Sequence, residues 1–118
     1  NNDDHPRNHA LLQHKGGWRL SPAYDIVPVA LVSQERRDLA LEVGAFGRAA
    51  SLYNLLSRPE VFGMSLVQAQ AEVDRMRHVV SNWREVFRQH GVTDADIDGI
   101  SGAFLSESFE RAQPPDAV

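Results

Sequence analysis

The sequence predicts a mainly α-helical chain that opens on a small β-hairpin. Three observations carry that expectation. Apolar side chains fall at Leu66, Ala69, Val73, Met76, Val80, Trp83 and Phe87, in alternating steps of three and four that keep them on one face of a helix. Two short segments, Ala10-Leu11-Leu12-Gln13 and Gly17-Trp18-Arg19-Leu20, flank His14-Lys15-Gly16, with Gly16-Gly17 offering the positive φ that a hairpin turn needs. A third apolar set, Ile97, Ile100, Phe104, Leu105 and Phe109, follows Thr93, which is placed to cap a second helix.

Taken in order, residues 1–9 are Asn, Asp, His, Arg and Pro with no apolar side chain except the proline ring, and so form a loop. Pro6 disfavours helix at His5. After the hairpin, Ser21-Pro22-Ala23 ends the second strand, and 26–32 reads as a buried extended segment interrupted by Pro28. Residues 33–38 form a charged surface turn, and the alternation at 39–43 before Gly44 suggests a short strand. A helix is expected over 48–57, with Ala49, Leu52, Tyr53 and Leu56 on one face and Pro59 beyond its end. The long stripe predicts one continuous helix from a Ser65/Gln68 capping box to Gly91 at the C′ position. Met76, Trp83 and Phe87 are expected in its core, Trp18 and Tyr24 in hairpin packing, and His9 and His14 in solvent. Arg75, Arg77, Arg84 and Arg88 fall mostly off the stripe, as a solvated face. Residues 113–118 form a frayed tail.

The composition bounds the function. At 118 residues the chain suits one domain, and 42 % apolar with 24 % charged residues is ordinary for a globular protein. A formal charge of -4 argues against a standalone nucleic-acid binder. Cysteine is absent, which removes thiolate chemistry and fits the cytoplasm. No apolar run approaches the roughly 20 residues of a membrane span. The chain begins without Met inside its densest polar cluster, as expected of a fragment. His5 and His9 are four apart, but would converge on zinc only on a helix, which Pro6 opposes.

The polar front end carries a chemical pattern. Asp3 is followed at the fifth position by Asn8, and Asp25 comes just beyond the hairpin. Phosphoryl transfer of the protein-kinase type uses three such groups in that order. An Asp orients the attacking hydroxyl, an Asn at the fifth position holds magnesium, and a later Asp holds magnesium against the ATP phosphates. A hairpin between Asn8 and Asp25 would bring both to one site, as two ligands of one metal require.

The runs Asn2-Asp3-Asp4-His5-Pro6-Arg7-Asn8 and Gly17-Trp18-Arg19-Leu20-Ser21-Pro22-Ala23-Tyr24-Asp25-Ile26, with Leu39-Ala40-Leu41 further on, resemble the C-terminal region of HipA-type serine/threonine kinases, the toxins of HipBA toxin–antitoxin pairs. The resemblance implies a helical C-lobe fragment of a protein-kinase-like fold spanning 1–112. Within it, 1–28 would hold the catalytic loop, hairpin and metal-binding Asp, and 47–112 the helical part. It implies Asp3 as catalytic Asp, His5 as a phosphate-side contact in catalysis and cofactor binding, Asn8 and Asp25 as metal ligands, and ATP and Mg2+ as cofactors. It further implies a protein substrate such as an aminoacyl-tRNA synthetase, and a HipB-like helix-turn-helix antitoxin that alone contacts DNA.

The chain departs from ordinary kinases in three ways. Asp25 is followed by Ile26-Val27 in place of Phe-Gly, and Asp3 has Asp4 beside it, with the spacing to Asn8 favouring Asp3 as the base. The only lysine is Lys15, at the hairpin turn, and no glycine-rich phosphate loop is present, so this fragment alone is expected to be inactive. A partner-binding helical module and a small-molecule phosphotransferase are the competing readings.

Overall fold

The computed structural model describes residues 3–29 and 38–114, and it is mainly helical with one two-stranded antiparallel sheet. A 3₁₀ turn, Pro6–Asn8, leads into β1 (Leu11–His14), which pairs with β2 (Gly17–Leu20) from Leu11 opposite Leu20 to His14 opposite Gly17. The two-residue loop puts Lys15 at φ 47° and Gly16 at φ 83°, positive at both positions as a type I′ turn requires. The turn therefore sits one residue earlier than the Gly16-Gly17 expected from sequence, and Gly17 closes the ladder. Both hairpin faces are open. Trp18 is 69 % exposed, so it does not pack on the hairpin, and Ile26, Val27 and Val29 are exposed where a buried segment was expected. The rest of that segment and most of the 33–38 turn lie outside the described residues, as do the last residues of the tail.

The strand expected at 39–43 does not form. Isolated bridges join Asp38 to Ala49 and Gly44 to Gly47, and between them the chain is a loop folded around one side chain. Asn54 is fully buried; its Nδ2 donates to the carbonyls of Gly47 and Ala49, and its Oδ1 accepts from the Phe46 amide, each at 2.9 Å. A strand would have needed a neighbour along its whole edge; here the Leu39 amide meets the Arg48 carbonyl and the Val43 amide the Gly47 carbonyl, while the Asn54 side chain holds the 46–49 turn. The helix expected over 48–57 shrinks to α1 (Leu52–Leu55), because the residues before it are engaged elsewhere. Ala49 is held in the bridge, and Ser51 caps the helix by accepting from the Asn54 amide.

A 3₁₀ turn, Pro59–Phe62, ends at Gly63 and precedes α2 (Leu66–Ser81). The capping box forms as expected: Ser65 Oγ accepts from the Gln68 amide at 3.3 Å, and Gln68 Oε1 from the Ser65 amide at 2.8 Å. The single long helix is in fact two, because α3 (Trp83–Gln89) starts anew after Asn82. Ser81 Oγ donates to the His78 carbonyl at 2.7 Å, the acceptor that the Asn82 amide would use in a continuous helix. The Asn82 amide turns to Val79 instead, and the helix breaks there. Gly91, at φ 79°, ends α3 in a Schellman motif: its amide donates to Arg88 and that of Val92 to Phe87.

Thr93 caps α4 (Asp94–Gly99), and after a 3₁₀ turn at Ser101–Ala103, Ser106 caps α5 (Glu107–Arg111). The second helix expected after Thr93 is thus two short ones. Ile97 is wholly buried, and Trp83 stacks on Phe104 at 4.2 Å with Phe87 edge-on to both. Met76, expected in the core, is 48 % exposed. The arginines tie helices together: Arg77 pairs with Glu110 between α2 and α5, and Arg84 and Arg88 pair with Asp98 and Asp94 across α3 and α4. Among the described residues no helix is long and apolar enough to cross a membrane.

Candidate functional site

Pro6 builds the site. Its ring fixes φ at the first position of the 3₁₀ turn and forces His5 into extended backbone, at φ -133° and ψ 168°. The Asn8 amide then closes on the His5 carbonyl at 2.8 Å, and the side chain of Asn8 swings inward to 7 % exposure. On the far side of the hairpin, pairing continues past β2 through the Ser21 amide to the Ala10 carbonyl, which returns the chain to the same turn. Asp25 arrives there at φ 57°, a left-handed conformation that Asp tolerates better than most residues.

The two groups meet. Asn8 Nδ2 donates to Asp25 Oδ2 at 2.7 Å, and this contact joins positions 17 residues apart. Asn8 Oδ1 is buried and has no hydrogen-bond partner, as has His5 Nδ1. A buried amide oxygen left in this state costs free energy unless something accepts its lone pairs. The amide nitrogen of Asn8 is the atom that faces Asp25 here; with the amide turned over, its oxygen and the carboxylate would be a pair of hard oxygen donors, and magnesium is usually held by one or two such side chains with phosphate and water completing its shell. Asn8 and Asp25 could hold it together. Among the described residues no three His, Cys, Asp or Glu side chains gather into a metal-binding group.

Asp3 is exposed on the segment that enters the turn, and His5 stands at the turn's N-terminal end, half-buried. Asp4 is engaged elsewhere: His9 Nε2 lies 2.9 Å and 3.1 Å from its two carboxylate oxygens, so His9 is not merely solvated. Tyr24, expected in hairpin packing, instead donates from its hydroxyl to the Arg7 carbonyl at 2.6 Å. Sequence reasoning missed both contacts. The five-residue spacing of Asp4 and His9 across a proline turn was the available signal for the first.

Two comparisons are silent: no curated protein and no solved structure matches the chain. The family comparison is not. The model of the HipA-like C-terminal domain matches residues 1–83, a span that takes in the 3₁₀ turn, the hairpin, Asp25 and all of α2. With that match over more than half its length, the chain belongs to the HipA-like C-terminal domain family.

Proposed function

We propose that the chain is the catalytic half of an ATP-dependent protein serine/threonine kinase of the HipA toxin type. The observation that carries this reading is the contact between Asn8 and Asp25, with Asn8 Oδ1 buried and without a hydrogen-bond partner. ATP would give its γ-phosphoryl group to the substrate hydroxyl with ADP leaving, and a bound magnesium ion would neutralise the charge on the phosphates. The chain's own part is positional. Asn8 Oδ1 and the Asp25 carboxylate hold the cation, Asp3 orients the substrate hydroxyl and accepts its proton, and His5 faces the phosphate side. Asp4, paired with His9, is left out of the proton transfer. Lys15, the one lysine of the sequence, lies in the hairpin turn, so a lysine on the α- and β-phosphates would have to come from elsewhere. The substrate is a protein, an aminoacyl-tRNA synthetase by family likeness, and a helix-turn-helix antitoxin restrains the enzyme.

Transfer of labelled γ-phosphate from Mg-ATP in a cell lysate, by a gene product that includes a nucleotide-binding part, tests the reading. Protein labelling that disappears in folded Asp3→Ala and Asp25→Ala variants is the expected result. Labelling that survives both changes refutes the site, and labelled small molecules in place of protein would move the chain to the small-molecule phosphotransferases.

A further inference from the structure

The geometry points to Tyr24 as a positioning residue for the metal-binding pair, an inference that rests on reading Asn8 and Asp25 as ligands. Two hydrogen bonds cross between the same two stretches of chain, one position apart: Arg7 carbonyl to Tyr24 hydroxyl, and Asn8 amide to Asp25 carboxylate. The first involves backbone on the turn side and a rigid aromatic arm on the other, so it fixes the height of the turn over the Asp25 segment. The second involves two side chains, each with rotamers of its own. Without the Tyr24 bond, the two stretches would lose the rigid tie that stands next to the Asn8–Asp25 contact, beyond the Ser21–Ala10 end of the hairpin. That contact would then open more often, and Asn8 and Asp25 would less often stand together to receive one cation.

The surroundings support this division of work. The hairpin strands that join the two stretches are exposed on both faces, and Asp25 sits in a left-handed conformation that needs outside support to persist. Asp4 and His9 brace the same turn from within, but both lie on the turn's own side of the hairpin and cannot register it against Asp25. Tyr24 is adjacent to Asp25 in sequence, so its anchor acts on the ligand directly.

The test is Tyr24→Phe in this chain, which removes only the hydroxyl. Hydrogen exchange of the Asn8 side-chain amide, followed by NMR, should speed up by about three- to tenfold, the population change that loss of one hydrogen bond supports. Binding of Mn2+ alone, followed by paramagnetic broadening, should weaken by a similar factor while the thermal midpoint of the helices stays unchanged. Unaltered Asn8 exchange overturns the inference, and so does a weaker affinity that tracks a lower melting midpoint. Asp25→Asn serves as the control for the underlying reading. If wild type binds no Mn2+, or binds it as well as Asp25→Asn does, the metal assignment fails, whereas Asn8 exchange still decides the role of Tyr24.

Discussion

Asn54 shows how much one side chain can organise. It satisfies two carbonyls and an amide in the loop before α1, and Ser57 Oγ, which donates to the Asn54 carbonyl at 2.6 Å, accepts from the Ala45 amide at 2.8 Å. Replacing Asn54 by Ala strands those groups away from water and should cost about 3 kcal/mol in urea unfolding. Gly44 is bound to the same arrangement, because a Cβ there would collide with the Asn54 carbonyl oxygen and with Ser57 Oγ. Gly44→Ala is expected to destabilise by about 1–3 kcal/mol in the same measurement, through overpacking, since the obstacle includes backbone. At the candidate site the logic differs. Asn8→Ala deletes an amide whose oxygen has no partner in the fold, so the loss in metal binding should exceed the loss in stability. Calorimetric titration with Mn2+ beside thermal melting separates the two.

Helices and strands were legible in the sequence where local chemistry decides them. The capping box at Ser65, the cap at Thr93 and the left-handed Gly91 all act within a few residues, and all three are found. Ser65→Ala should therefore cost about 1 kcal/mol, read from the thermal midpoint. The hairpin was legible too, with its turn shifted by one residue. The meeting of Asn8 and Asp25 was foreseeable because a short hairpin is a rigid bridge between them. What the sequence hid were competitions settled by single polar atoms. The apolar stripe runs unbroken through Asn82, and nothing in its period signals that Ser81 Oγ captures the His78 carbonyl. Ser81→Ala should return that carbonyl to the Asn82 amide, whose hydrogen exchange would slow as α2 and α3 join. The turn after 39–43 was hidden likewise, since the Asn54 side chain that holds residues 46–49 lies five to eight positions downstream of them. On α2, Glu72 titrates below the ordinary carboxylate range because it accepts hydrogen bonds from Arg75. Its contribution to stability is present above that range and fades as pH falls through the lowered value. Glu72→Gln should accordingly flatten the acid limb of the helix's melting profile, with a small effect at so exposed a pair.

At the scale of the molecule, burial is thin. Among the described residues the nearly or fully buried apolar side chains are Ala49, Ala69 and Ile97, while Phe62 is 65 % and Val67 79 % exposed. The radius of gyration is 16.2 Å, against about 13 Å for a compact domain of 100 residues. Because the denaturant slope scales with the surface exposed on unfolding, urea titration of this chain should give a slope below the range usual for its length. The two tryptophans divide the molecule between them. Trp18 stands in solvent on the hairpin, whereas Trp83 lies against Phe104 with the Arg84 guanidinium 4.7 Å from its ring. Iodide reaches the first freely and the second poorly, so one emission spectrum carries two separable signals. Its quenchable part reports events at the hairpin between Asn8 and Asp25, and its shielded part reports whether the helices around Trp83 remain packed.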